Sequence, residues 1–121
     1  MKANHKLATP KAVTDFLMEF KKNSGDMGRM IKFTDDRAKN FWTLIELNLT
    51  ILQALEKILS LTYKNYILGP YKREDGSGNL WAFGLEVEGR PIYIKLCDDF
   101  STGYALCVSF HKPEKLMKFI Y

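Results

Sequence analysis

The chain has little of what would staple a fold or span a bilayer. Two cysteines in 121 residues, Cys97 and Cys107, form no disulfide framework. With no apolar segment of secretory type before them, they are expected to be reduced thiols in a cytosolic protein. No apolar run approaches the roughly 18 to 20 residues that cross a membrane. Histidine is equally scarce, with His5 in a polar N-terminal stretch and His111 near the other end. Asp98, Asp99, Cys97 and His111 follow no recognised ligand spacing, and adjacent aspartates are first of all turn formers, so no metal or other cofactor is expected. Phosphate-binding glycine loops, dinucleotide glycine patterns and nucleophile elbows are missing too. Gly76-Ser77-Gly78 follows no predicted strand and opens no helix, which sets those enzyme classes aside.

What remains is a chain for one domain over residues 1–121. Its 46% hydrophobic and 13% aromatic content suffices for a single core without staples. A net charge of +4 and a pI near 9.0 fit a polyanion-binding protein, although many basic proteins bind none. Residues 1–8 read as a tail, with His5 as a solvated member of it. Thr9-Pro10 is a helix start, followed by Val13, Phe16, Leu17 and Phe20 at helical spacing and an end near Lys22. Arg29 to Phe33 reads as a short extended piece. Thr34-Asp35-Asp36 then caps a second helix, whose predicted inner stripe is Ala38, Phe41, Trp42, Ile45 and Leu49. Thr50 and Gln53 fit a capping box, starting a third helix with Ala54, Leu55, Ile58 and Leu59 facing inward. Residues 61–70 lead out of that helix, and residues 70–78 form a polar loop.

From Leu80 onward the period changes to two. Leu80 to Val87 alternates bulky apolar residues at odd numbers with small or polar ones at even numbers. Glu88-Gly89 is a two-residue connection, which pairs Val87 with Arg90, Leu85 with Ile92 and Phe83 with Ile94. Pro91 to Cys97 buries its even residues, and Tyr104 to His111 is expected to do the same, setting Ile94 against Val108 and Ile92 against Phe110. One face of this meander is then apolar. The other carries Ala82, Gly84, Glu86, Tyr93, Lys95, Cys97, Cys107, Ser109 and His111, with the small residues opposite Lys95 and Tyr93. The predicted class is α+β: a helical part over residues 9–60 on one face of a three-stranded, or slightly larger, antiparallel sheet over residues 79–111, and a C-terminal tail at 112–121.

The polar face is the candidate site. Histidine can act as acid or base near neutral pH, lysine neutralises phosphate charge, and tyrosine donates a hydrogen bond or stacks on a base. Cleaving RNA without a metal needs a base for the ribose 2′-hydroxyl, a cation or donor for the phosphorane and an acid for the leaving oxygen. His111, Lys95 and Tyr93 together can cover those roles. The plainer alternative is a half-exposed strand-end histidine beside an ordinary solvated sheet face. Lys72 and Arg73, in the loop before the hairpin, can add phosphate contacts, although charged loops are commonly just solvated.

Four pieces in order carry a resemblance: Asn65-Tyr66-Ile67-Leu68-Gly69-Pro70, then Leu80-Trp81-Ala82-Phe83-Gly84, then Ile92-Tyr93-Ile94-Lys95-Leu96, then Ser109-Phe110-His111 followed by Glu114, Met117 and Lys118. Over residues 30–121 the order and spacing resemble a divergent branch of the MqsR-like toxins of type II toxin–antitoxin systems, small ribonucleases with a RelE-like α+β fold. The resemblance implies a cytoplasmic mRNA-cleaving toxin held inactive by an antitoxin. It puts the family's catalytic tyrosine on Tyr93 and a basic residue of the last strand on His111, and it counts Tyr66 and Ser109 with Lys72 and Arg73 among the RNA contacts. Two positions depart from the family pattern: its lysine falls on Leu68 and its glutamine on Ala82. The alternative reading is a non-catalytic module of the same fold that grips RNA or a protein.

Overall fold

A computed structural model describes residues 7–34 and 37–121. Helix α1 (Pro10–Asn23) begins as its sequence requires, with the Thr9 hydroxyl accepting from Ala12 N at 3.1 Å and Pro10 in the first turn, where its missing N–H costs nothing. Val13, Phe16 and Phe20 face inward, and Lys21 and Lys22 sit at the negative end of the helix dipole. A short 3₁₀ turn leads into β1 (Ile31–Phe33) and then α2 (Arg37–Leu47). The cap expected at Thr34-Asp35-Asp36 and the tail residue His5 involve positions outside the described residues, as do the side chains of Ala38 and Phe41. Helix α3 (Ile51–Leu59) has the predicted capping box, with the Thr50 hydroxyl accepting from Gln53 N at 3.1 Å and Gln53 Oε1 from Thr50 N at 2.8 Å.

The predicted inner stripe of α2 is corrected. Trp42 and Ile45 are 61% and 51% exposed, whereas Asn40, Thr43 and Leu47 are buried, an equally regular i, i+3, i+7 row. The reason lies in the sheet. Strand β1 is too short to cover all of its neighbour, so α2 turns its polar row onto the strand edge, where Asn40 Oδ1 accepts from Phe110 N at 2.7 Å. A buried N–H must find a partner, and that requirement outweighs the burial of one tryptophan.

The sheet has five strands in the order β1-β5-β4-β3-β2, with β2 (Tyr66–Lys72), β3 (Asn79–Val87), β4 (Arg90–Cys97) and β5 (Ala105–His111). The α+β class stands, but the expected three-stranded antiparallel sheet is enlarged at both edges. Strand β1 runs parallel to β5, and β2 antiparallel to β3. Strand β2 was masked in the sequence by Gly69-Pro70. Proline cannot donate to a ladder, so it fits a strand only at an edge or an irregularity, and β2 is an edge strand with register shifts on either side of Leu68.

The β3–β4 register is as predicted, from Val87 opposite Arg90 to Phe83 opposite Ile94. The turn takes positive φ at both Glu88 (55°) and Gly89 (74°), matching the right-handed twist of the flanking strands. The β4–β5 register differs from the expectation. Ile94 lies opposite Phe110, not Val108, a displacement of two residues, one of which comes from the shift between Lys95–Ser109 and Leu96–Cys107 that leaves Val108 as an extra residue. Side-chain parity therefore inverts along β5. Ala105 and Cys107 join Phe110 in the main core, while Leu106 and Val108 cross to the other face beside Leu80 and Cys97. Cys107 was expected on the polar face; the bulge puts it under the helices, opposite in direction to Cys97, and both thiols are free.

Residues 112–121 have no regular structure but do not hang loose. Ile120 N donates to Tyr66 O at 3.4 Å, Tyr121 stacks on Tyr66 at 6.0 Å, and the Tyr121 hydroxyl donates to Ala8 O. Ala8, expected in the loose tail, is pinned at both its N–H and its carbonyl. Among the described residues, no helix is long and apolar enough to cross a membrane.

Candidate functional site

The sheet face away from the helices gathers the predicted catalytic residues. Tyr93 lies opposite His111 across β4–β5, and Lys95 lies opposite Ser109. On the other side of β4, Gly84 and Ala82 stand opposite Tyr93 and Lys95. The space over Gly84 is taken by Met117 and Ile67, which pack down onto the sheet beside Tyr93. The Tyr93 and His111 rings are 6.1 Å apart and tilted by 39°, and Lys95 Nζ sits 5.9 Å from the Tyr93 ring centre, within reach of a cation–π attraction. A groove of about 390 Å³ opens here. Tyr93, Lys95 and His111 form its inner wall, with Met117, Leu116 and Ile67 on the apolar side.

His111 is 6% exposed, not the half-exposed strand end of the plainer reading. Its Nδ1 lies 2.8 Å from the carbonyl of Lys112. A carbonyl only accepts, so Nδ1 carries the proton and the lone pair of the neutral ring is on Nε2, the tautomer of a general base.

The sequence reading missed Tyr71. Its hydroxyl donates to Tyr93, a bond that raises the Tyr71 phenol and lowers that of Tyr93. Burial is the larger influence on both and pushes each above the ordinary phenol range, so both stay protonated at neutral pH. Tyr93 is thereby a donor whose oxygen is already steadied by a second phenol. The signal was present as a tyrosine two residues before Arg73, but Gly69-Pro70 hid the strand that aims it.

The remaining expected RNA contacts separate. Lys72, at the end of β2, is exposed. Arg73 is folded into its own loop, where Nη1 donates to Ser77 Oγ at 3.2 Å and Nε lies 3.8 Å from Asp75, leaving the side chain 12% exposed. Tyr66 is corrected as an RNA contact. It is fully buried against Phe83, its hydroxyl receiving Ala8 N at 2.9 Å and donating to Gly69 O. Ser109 is likewise fully buried and offers no surface to a nucleic acid. Leu68 and Ala82, the two departures from the resemblance, are cross-strand partners, so the missing lysine and glutamine concern one spot on the sheet.

Asp98 is structural. It accepts from Asn79 N at 2.7 Å and Trp81 Nε1 at 3.2 Å, tying the start of β3 to the end of β4. Asp99 accepts from Ser101 N at 3.0 Å, closing a turn. No group of three or more His, Cys, Asp or Glu residues is placed to hold a metal among those described. A second groove, about 350 Å³ between α1 and α3, is lined mainly by Leu17, Met18, Ile58 and Leu59, with no histidine or carboxylate to do acid–base work. No protein-family model, curated protein or solved structure matches the chain.

Proposed function

We propose that the chain is a metal-independent endoribonuclease of toxin type, acting in the cytoplasm and neutralised by an antitoxin protein. The observation that carries this reading is the alignment of Tyr93 with His111 and of Lys95 beside them along one groove. In the reaction, His111 Nε2 takes the proton of a ribose 2′-hydroxyl, and that oxygen attacks the adjacent phosphorus. The bond to the 5′ oxygen of the next nucleoside breaks, leaving a 2′,3′-cyclic phosphate. Lys95 and the Tyr93 hydroxyl stabilise the negative charge on the phosphorane. Tyr93, kept protonated by burial, serves as donor to the leaving oxygen and not as base.

RNA incubated with the purified protein and a chelator is expected to yield fragments ending in cyclic phosphate. His111→Ala and Tyr93→Phe should each slow this by roughly 10²- to 10⁴-fold, the usual worth of a positioned acid or base. Expression should arrest growth, and His111→Ala should relieve the arrest. Undiminished cleavage by both variants overturns the site; intact RNA at every protein concentration overturns the activity.

The pairing of Leu68 with Ala82, where the resembling family carries lysine and glutamine, favours a second reading as an RNA-binding module that does not cut. Intact RNA retained with an affinity that falls steeply with salt would establish it.

A further inference from the structure

Two cavities meet at Lys95. The first is the groove of about 390 Å³ that holds Tyr93 and His111. The second, about 440 Å³, lies toward the β2–β3 loop, with Leu80 and Val108 as its apolar floor and Tyr71, Glu74 and Asp75 at its sides. Lys95 is the one residue common to both linings. Tyr71 belongs to the second cavity and Tyr93 to the first, and their hydroxyls are hydrogen-bonded, so the seam carries an ammonium group beside a pair of phenols.

We infer that the ligand is a dinucleotide unit of RNA lying across both cavities, its linking phosphate at Lys95, its 5′ nucleoside over His111 and its 3′ nucleoside in the cavity of Leu80, Val108 and Glu74. This rests on the ribonuclease reading above and adds both the length and the direction of the substrate.

Charge assigns the phosphate. In each cavity the other cations are balanced by carboxylates, Lys72 and Arg73 by Glu74 and Asp75 in the second and Lys115 by Glu114 in the first, which leaves the shared Lys95 as the cation not balanced in this way. The seam, with Lys95 and the Tyr93 hydroxyl as donor, is the better seat. Carboxylates do suit a nucleoside, since they accept hydrogen bonds from exocyclic amino groups and sugar hydroxyls. The aliphatic floor of Leu80 and Val108 suits the face of a base. Direction follows from His111. The base must reach the 2′-hydroxyl of the nucleoside 5′ to the scissile phosphate, and His111 lines the first cavity only. Each volume lies within the range of a small-ligand site, which makes two subsites a closer fit than one oversized one.

The test uses the full chain with two uncleavable or already cleaved probes, a 2′-deoxy dinucleotide and a nucleoside 3′-monophosphate, with affinities measured by titration calorimetry. The dinucleotide is expected to bind at least tenfold more tightly. Glu74→Ala, at an exposed position, should change the dinucleotide's affinity at least threefold and leave that of the monophosphate unchanged. Equal affinities, both indifferent to Glu74→Ala, overturn the two-cavity assignment while leaving an RNA ligand in place. If neither probe binds, and longer RNA does not bind either, the ribonuclease reading falls and the inference with it. Should Glu74→Ala weaken both probes alike, the direction assigned here is wrong.

Discussion

Under the helices, Phe16 stacks on Trp81 at 4.5 Å, Phe83 and Phe110 are fully buried, and aromatic and branched side chains from three helices close over them. On the opposite face of the same strands the buried apolar cluster is small, Leu80, Cys97, Leu106 and Val108 with Tyr71 against it, and beside it Tyr93, Lys95 and His111 line a groove under the C-terminal strap. The first face is organised by area removed from water, which is non-directional and large. The second is organised by directed polar contacts, which fix geometry but add little net stability. A protein built this way can change its groove residues at small thermodynamic cost, because its stability resides on the other side of the sheet.

Truncation is the strongest way to break that contrast. Phe83→Ala removes a fully buried ring from the helix-covered face and is expected to cost about 3–5 kcal/mol in denaturant unfolding. Tyr93→Phe keeps the ring and loses one hydroxyl contact, so its cost should stay near ~1 kcal/mol. Comparable losses from the two would mean that both faces carry stability alike.

The two faces also differed in how far they could be read from sequence. The β3–β4 register was legible because Glu88-Gly89 leaves a two-residue connection with glycine available for positive φ, and the alternation of the strands on each side agrees with it. Tyr93 and Lys95 were placed on one face for that reason, and His111 joined them only through the alternation of β5, in a register that differs from the expected one. Strand β5 was not legible, because alternation cannot announce a bulge. Val108 reads like any other apolar strand residue, and only the observed pairing reveals that Cys107 faces the core. Helix α2 failed differently: the apolar row through Trp42 and Ile45 and the polar row through Asn40 and Thr43 have the same period. The choice between them depended on an unpaired N–H seventy residues away. Tyr71 and the strap were missed because each owes its place to a partner distant in sequence.

Alkaline pH adds a second test by titrating the buried thiols before the buried phenols. Burial pushes the Cys107 thiol, under the helices, far above its ordinary value, and Cys97 is pushed up as well. The unfolded chain releases those protons from about pH 8.5, so stability is complete below that pH. Above it, stability should fall by up to ~1.4 kcal/mol per pH unit for each thiol still protonated in the fold. The raised phenols of Tyr66, Tyr71 and Tyr93 add their share only above about pH 10, where unfolded tyrosine ionises. Urea midpoints measured between pH 7 and 11 should therefore bend twice. Cys107→Ala should weaken the first bend and Tyr71→Phe the second. A midpoint flat to pH 10 would contradict the burial of both cysteines.

The smallest expected effect bears on the strap. A methyl group at Gly84 would come within 2.5 Å of Met117 Sδ, 3.0 Å of its Cε and 3.1 Å of Ile67 Cδ1. The methionine end is flexible, so the conflict should be relieved by movement of the strap and not by a shift of the sheet. Gly84→Ala also restricts the unfolded chain, which by itself stabilises by about 0.4–1 kcal/mol where the backbone allows it. In the wild-type background the two terms should nearly cancel, with faster proteolysis beside the 88% exposed Leu116 as the visible sign of a lifted strap. With Met117→Ala already in place only the 3.1 Å approach to the end of the Ile67 side chain remains, and Gly84→Ala should then be more favourable than in the wild-type background by ~0.5 kcal/mol or more. The sign of that difference decides the matter. If the substitution acts identically in both backgrounds, Met117 does not rest on Gly84, and the groove has lost the wall that separates it from solvent.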